Sequence, residues 1–202
     1  MKKLLTLLAL TITLCSNAQI SAGGTNNSGA YSSAIGYQTT ASESYCTAMG
    51  YATTASGSTS TAMGVSTTAS GDGSTTMGNQ TTASGNNSTA MGANTTASGA
   101  NSTAMGVATI ASGSASCALG LSTTASGVNS TSMGFGTIAS GNRSTSMGVA
   151  TIASDYASVV IGQYNSSGSS TTSSSSFSTS APAFVVGNGT NSSNKSDAFK
   201  VM

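Results

Sequence analysis

Residues 60–71 read Ser60-Thr61-Ala62-Met63-Gly64-Val65-Ser66-Thr67-Thr68-Ala69-Ser70-Gly71, and this stretch recurs along the chain every 14 residues. The unit is S-T-A-M-G-x-x-T-T-A-S-G-x-x. One glycine series is Gly36, Gly50, Gly64, Gly78, Gly92, Gly106, Gly120, Gly134, Gly148 and Gly162. A second lies halfway between, with Glu43 and Asp155 in place of glycine at two turns. Alanine is unbroken from Ala41 to Ala153 at the same spacing, and serine follows it each time. A locked register over ten units, at residues 31–164, is the signature of stacked repeats.

The alternatives fail on composition. Glycine in every heptad and abundant Ser and Thr oppose a helix, and there is no Leu or Ile seam for a coiled coil. Collagen needs glycine at every third position. An ordinary globule needs large apolar side chains to offset chain entropy, and these are scarce. The unit reads instead as two short strands, S-T-A-M and T-T-A-S, each ending at a glycine that turns the chain. Stacked units then pair as parallel ladders about 4.8 Å apart. The predicted fold is an all-β, single-chain parallel β-solenoid with 14-residue turns and almost no helix after residue 18.

Side chains alternate along a strand. Thr53 and Ala55 share one face and Thr54 and Ser56 the other. The Thr53 and Ala55 columns scarcely vary and suit a narrow interior. The Thr54 column admits Ile110, Ile138 and Ile152, which suggests an outward face. Ala62 and its equivalents are expected inside, with Thr61 and Met63 outside. The Met column is Ile35, Met49, Met63, Met77, Met91, Met105, Leu119, Met133, Met147 and Ile161. If it faces outward it is an apolar stripe of the kind that marks interfaces, and it is read as an oligomer axis. The competing arrangement has Met inside and Ala outside. The residues after the first glycine, Tyr37, Tyr51, Val65, Asn79, Val107, Leu121, Phe135 and Val149, are candidate surface contacts or shields at a subunit boundary.

Charge and cysteine narrow the function classes. Charged residues are 4% of the chain, against roughly 25% in an average domain. The repeats hold Arg143 against Glu43, Asp72 and Asp155, so there is no cationic stripe for nucleic acid. With no histidine there is no imidazole base and no metal cluster. No catalytic residues, metal ligands or cofactors are assigned, and the chain is read as a non-enzyme. Cys46 and Cys117 lie about five rungs apart, roughly 24 Å, too far for a disulfide. They are read as small-residue substitutes in Ser/Thr columns.

At the N-terminus, Lys2 and Lys3 precede an apolar run from Leu4 to Leu14. The run is too short to span a bilayer comfortably. Ser16 and Ala18 fit a cleavage before Gln19, so residues 1–18 read as a secretory signal peptide. Leu14 before Cys15 disfavours lipid attachment. Residues 19–30 form a lead-in, 31–164 the roll and 165–182 a Ser/Thr-rich linker. Residues 183–202 form a strand-like segment whose end reads as cut short.

The repeat resembles the head of YadA-like trimeric autotransporter adhesins, in which the unit looks like S-V-A-I-G-x-x-A-x-A-x-G. Ser60-Thr61-Ala62-Met63-Gly64 and Thr67-Thr68-Ala69-Ser70-Gly71 match it, and Ala157-Ser158-Val159-Val160-Ile161-Gly162 comes closer still. The resemblance covers about residues 31–164. It implies a left-handed β-roll and a homotrimer with the Thr/Met strand on its axis. It also implies an exported head at the cell surface, outer membrane or exterior of a Gram-negative bacterium. Such a head attaches to a host, matrix or other surface, and the mature chain makes no direct membrane span. Met here replaces the usual Ile or Val, and neither a coiled-coil stalk nor a four-strand anchor follows. The readings set beside adhesion are a structural spacer or fibre segment and an ice-binding solenoid presenting Thr54/Ser56-type rows.

Overall fold

The computed structural model describes residues 23–168 and 171–202. The signal peptide read over residues 1–18 lies outside them, as does the first part of the lead-in.

The described residues form two stacked sheets and contain no helix. The larger sheet has 12 strands, ten of them the five-residue repeats from Ser33–Tyr37 to Val159–Gln163. The smaller has 10 two-residue strands, from Asn26–Asn27 to Ile152–Ala153. Successive repeats pair in parallel without slippage, so Thr89, Ala90, Met91 and Gly92 lie beside Thr103, Ala104, Met105 and Gly106. Ladder bonds join rung to rung: Thr54 N–H donates to the Thr67 carbonyl at 2.8 Å and Ser66 N–H to that of Tyr51 at 2.8 Å. Peptide groups along the strands are thus satisfied by their neighbours in the stack, which lets a sequence poor in large side chains hold a fold.

The interior is a column of small groups. Each typical turn sends in a serine, an alanine, a threonine and a second alanine, such as Ser60, Ala62, Thr67 and Ala69, all fully buried. Methionine stands on the outer surface, and the arrangement with Met inside is not the one adopted.

Many of the buried hydroxyls, including those of Thr67, Thr95 and Thr109, have no hydrogen-bond partner. Two turns solve this by placing serine in the alanine column: Ser132 pairs with Thr137 at 2.7 Å and Ser146 with Thr151 at 2.8 Å. Ala104 stands in the same relation to Thr109. The substitution Ala104→Ser is therefore expected to stabilise the fold by about 1 kcal/mol, the net value of a buried hydrogen bond. A thermal melt of the variant below that of the parent would contradict the pairing.

The turns differ from the sequence expectation. The first-series glycines do not end their strands. Gly64 lies inside Thr61–Val65, paired with Gly50 and Gly78. The left-handed conformation falls two residues past each glycine, as at Thr59 (φ 56°) and Ser66 (φ 54°). It costs a non-glycine residue roughly 1–2 kcal/mol, and the corner amides offset it by bonding to the rung before. Thr59 N–H, for example, donates to the Ser44 carbonyl at 2.9 Å. Val65 and its equivalents are thus the last residues of strands rather than turn residues.

The C-terminal end of the stack is closed by side chains. Asn165 takes the next place in the Thr column and is buried. Its Oδ1 accepts the Ile152 N–H at 2.8 Å, and its Nδ2 donates to the Ile152 carbonyl at 2.9 Å. The carboxamide stands in for the missing rung's peptide. Asp155 replaces glycine where no further regular turn follows, and its Oδ1 accepts the N–H groups of Thr172 and Ser173 at 2.6 and 2.7 Å. Nothing in the structure explains Glu43 at the same position in an early turn. Asn165, Thr172 and Ser173, from the segment read as a linker, are therefore tied to the end of the short-strand sheet.

The repeat register then resumes. Phe184–Asn188 pairs in parallel with Val159–Gln163, glycine beside glycine, and Asp197–Val201 adds an antiparallel edge. Asp197 ties this edge back to the first residues of the excursion. Its carboxylate accepts the Ser166 N–H, the Ser166 hydroxyl and the Ser167 N–H, at 2.8, 2.8 and 2.9 Å. Partial burial works against its ionisation, but these donors outweigh it and hold the carboxyl below its ordinary value of 3.8. A depressed carboxyl stabilises the folded state above its unfolded value and loses that contribution as pH falls through the folded one. The edge strand is expected to be protected at and above the ordinary carboxylate range and to loosen only as pH falls below it. Amide exchange at Ser166 and Ser167 checks this, and exchange unaffected by acid would contradict it.

Candidate interaction surface

The outer face of the long-strand sheet carries the most concentrated chemistry in the molecule, and that chemistry is apolar. Alternation buries Ala90 and Ala104 and leaves Thr89, Met91, Thr103 and Met105 outward. Met49, Met77, Met105, Met133 and Met147 are each 37–41% exposed. Ile35, Met63, Met91, Leu119 and Ile161 are half-buried in the same column. Because the pairing never slips, all ten stand in one line. The line continues past the repeats, since Val186 pairs with Ile161 and Phe199 with Val186. Phe199 is 55% exposed and meets Phe184 edge-on at 6.1 Å. Twelve rungs at about 4.8 Å give a stripe of roughly 50 Å.

Beside it runs the column read as surface contacts. Tyr37, Tyr51, Val65, Asn79, Val107, Leu121 and Phe135 are exposed and Val149 is half-buried. The structure brings them into one row, in which Ala93 and Gln163 take the same place at two other turns. Tyr37 and Tyr51 stack at 5.4 Å, and Tyr31 and Tyr45 stack at 5.2 Å at the opposite corner. The Tyr31/Tyr45 pair was not singled out from the sequence, although its 14-residue spacing was there to find.

The polar groups nearest this face do not make a site. Asp72 accepts the Ser58 N–H at 3.0 Å, a corner bond between rungs. Cys46 is buried in the Ser60 column, and Cys117 occupies the Thr103 column. Both thiols are free, and burial pushes both above the ordinary value, away from the reactive thiolate. Among the described residues no group of His, Cys, Asp and Glu is placed to hold a metal ion.

The repeat, the parallel register and the outward apolar column together agree with one known family. The family described as YadA head domain repeat (2 copies) matches residues 28–53, 47–67, 55–81, 69–95, 83–109, 97–123, 111–137 and 139–165. The chain belongs to this family. No curated protein matches it. YadA heads are adhesin-type structural domains of surface-exposed trimeric autotransporters, not an enzyme family. The matched residues span the roll and stop short of Phe184–Asn188. The extra rung and the antiparallel edge lie outside the matched residues. No helix among the described residues is long and apolar enough to cross a membrane.

Proposed function

We propose that this chain is an exported adhesin head. Three copies pack along their Met stripes, and the assembled roll attaches its cell to a host, matrix or other surface. The observation that carries this reading is the unbroken apolar line on the outside of a single roll. A monomer would leave it in water for its whole length, far beyond the apolar patches that monomers usually expose. The YadA family membership supports the number three and the surface location. Residues 1–18 act as the export signal, residues 31–164 as the head, and residues 165–202 as a closing segment. The row from Tyr37 to Val149 is then either contact surface or rim of the subunit boundary.

Two measurements test the proposal. Light scattering of the chain from Gln19 onward is expected to give three times the monomer mass, and a stable monomer would overturn the assembly. Display of the chain on a non-adherent cell is expected to retain that cell on matrix-coated surfaces. A trimer that confers no retention would leave a structural spacer.

A further inference from the structure

Arg143 is the only cation among residues 4–194. It sits at a corner in the left-handed conformation, φ 61°, where other turns hold Asn, Ala, Thr or Tyr. Its guanidinium carbon lies 5.2 Å from the ring centre of Tyr156 on the next rung, close enough for a cation–π contact to hold it in place. Beside it is a cleft of about 140 Å³ lined by Val128, Asn129, Asn142, Arg143, Tyr156 and Ser175. Residues 173–175 fold back here and form one wall of the cleft. Asn142 N–H donates to the Ser174 carbonyl at 2.8 Å and Tyr156 N–H to that of Ser173 at 2.7 Å.

No carboxylate lines the cleft. Asp155, the nearest acid in sequence, is fully buried and turned to the amides of Thr172 and Ser173. Arg143 is exposed and, among the described residues, no ion pair neutralises it. The rest of the lining is uncharged and rich in donors. The Asn142 Oδ1 is taken by the Val128 N–H at 3.0 Å, so its N–H₂ group is the part left to donate. Asn129 and Ser175 add a second carboxamide and a hydroxyl. A fixed guanidinium with carboxamide and hydroxyl neighbours matches a carboxylate flanked by hydroxyl groups.

We propose that this cleft binds the carboxylate-bearing terminal residue of an acidic saccharide. The site deepens the adhesin reading by giving it a ligand class, and it rests on that reading only for its biological use. Arg143 carries the charge recognition, Tyr156 fixes the guanidinium, and Asn129, Asn142 and Ser175 contact the hydroxyls.

The test titrates the purified secreted chain with sialyllactose and with lactose, its uncharged counterpart. Sialyllactose is expected to bind at least ten-fold more tightly, and to weaken as salt is raised. Arg143→Gln is expected to reduce it to the lactose level, with Arg143→Lys retaining part of the difference. Ser175→Trp, which fills the cleft and leaves the charge, is expected to abolish binding to both sugars. Solution mass and melting temperature of each variant separate lost binding from lost folding. Equal affinity for the two sugars, no binding of sialyllactose, or binding unchanged in Arg143→Gln would each overturn the site. Because the titration needs neither cells nor display, its failure leaves the adhesion assay standing. Retained sialyllactose binding without cell attachment would instead remove the adhesin reading alone.

Discussion

Replacing Met91 and Met105 together with aspartate is expected to dissociate the proposed assembly or stop it from folding. Each methionine in the column is already partly covered by its neighbours, with Met105 39% exposed. Full burial of a Met side chain contributes about 1.5–3 kcal/mol, so covering the exposed remainder contributes about 1 kcal/mol per rung. Summed over the ten repeats this is about 10 kcal/mol per chain. That is comparable with the roughly 4–15 kcal/mol lost when molecules associate, and the Thr and row contacts add to it. In the proposed trimer, two aspartates per chain would put six carboxylates on the shared axis with no cation nearby. Unpaired charge is costly to bury, and like charges repel strongly where water is excluded. The control is Ser84→Asp with Ser98→Asp, on exposed positions of the short-strand side, which should leave both mass and melting temperature near the parent values. Light scattering and a thermal melt read the result. If the Met variants keep the parent's mass and stability, the stripe is not an interface.

The sequence carried the solenoid because the fold is the period. A register that repeats Ala41, Ala55 and Ala69 without a slip must place those residues in one column, and small residues can fill only a narrow interior. The same reasoning put Met63 outside once Ala62 was inside. Two kinds of detail were less legible. The first is local: glycine was read as a turn residue on its intrinsic freedom, yet Gly64 is required by the rung beside it, and Thr59 and Ser66 take the left-handed corners. Nothing in Thr or Ser marks them for that conformation; the corner bonds between rungs impose it. The second is the end of the stack. Asn165 and Asp155 act as caps only because the next regular rung is missing, and a period cannot announce its own termination. The resumed rung did leave a signal, since Phe184-Val185-Val186-Gly187 has the pattern of Val159-Val160-Ile161-Gly162. The 25-residue offset between them, visible in the pairing of Val159 with Phe184, hides it from any search at a fixed spacing of 14.

The role of the strand glycines leads to the second large effect. Gly92→Ala is expected to split the stack, with a loss of at least about 3 kcal/mol. A Cβ on Gly92 would lie 2.9 Å from the carbonyl carbon of Gly106, closer still to its oxygen, and 3.1 Å from its nitrogen. Those atoms are backbone, fixed by the ladder, and cannot rotate away as a side chain would. The φ of 118° at Gly92 is also one that residues with a Cβ rarely adopt. Both faults act on the same side chain, and all ten repeats keep glycine here while the other series admits Glu43 and Asp155. Gly136→Ala is the matched comparison. Gly136 has a left-handed φ of 62° at a corner, but the nearest atom to an added Cβ is the Ala150 Cα at 4.0 Å. Ala52, Ala108 and Ala150 already occupy equivalent corners, so this change should cost about 1 kcal/mol. Repeat arrays couple mainly through neighbouring units. The Gly92 variant should therefore melt in two steps, as the turns on either side of the fault lose their common boundary, while the Gly136 variant keeps one transition a few degrees lower. Circular dichroism melts of the two proteins decide it. Similar single transitions in both would mean that rung-to-rung contact at the strand glycines does not hold the roll together.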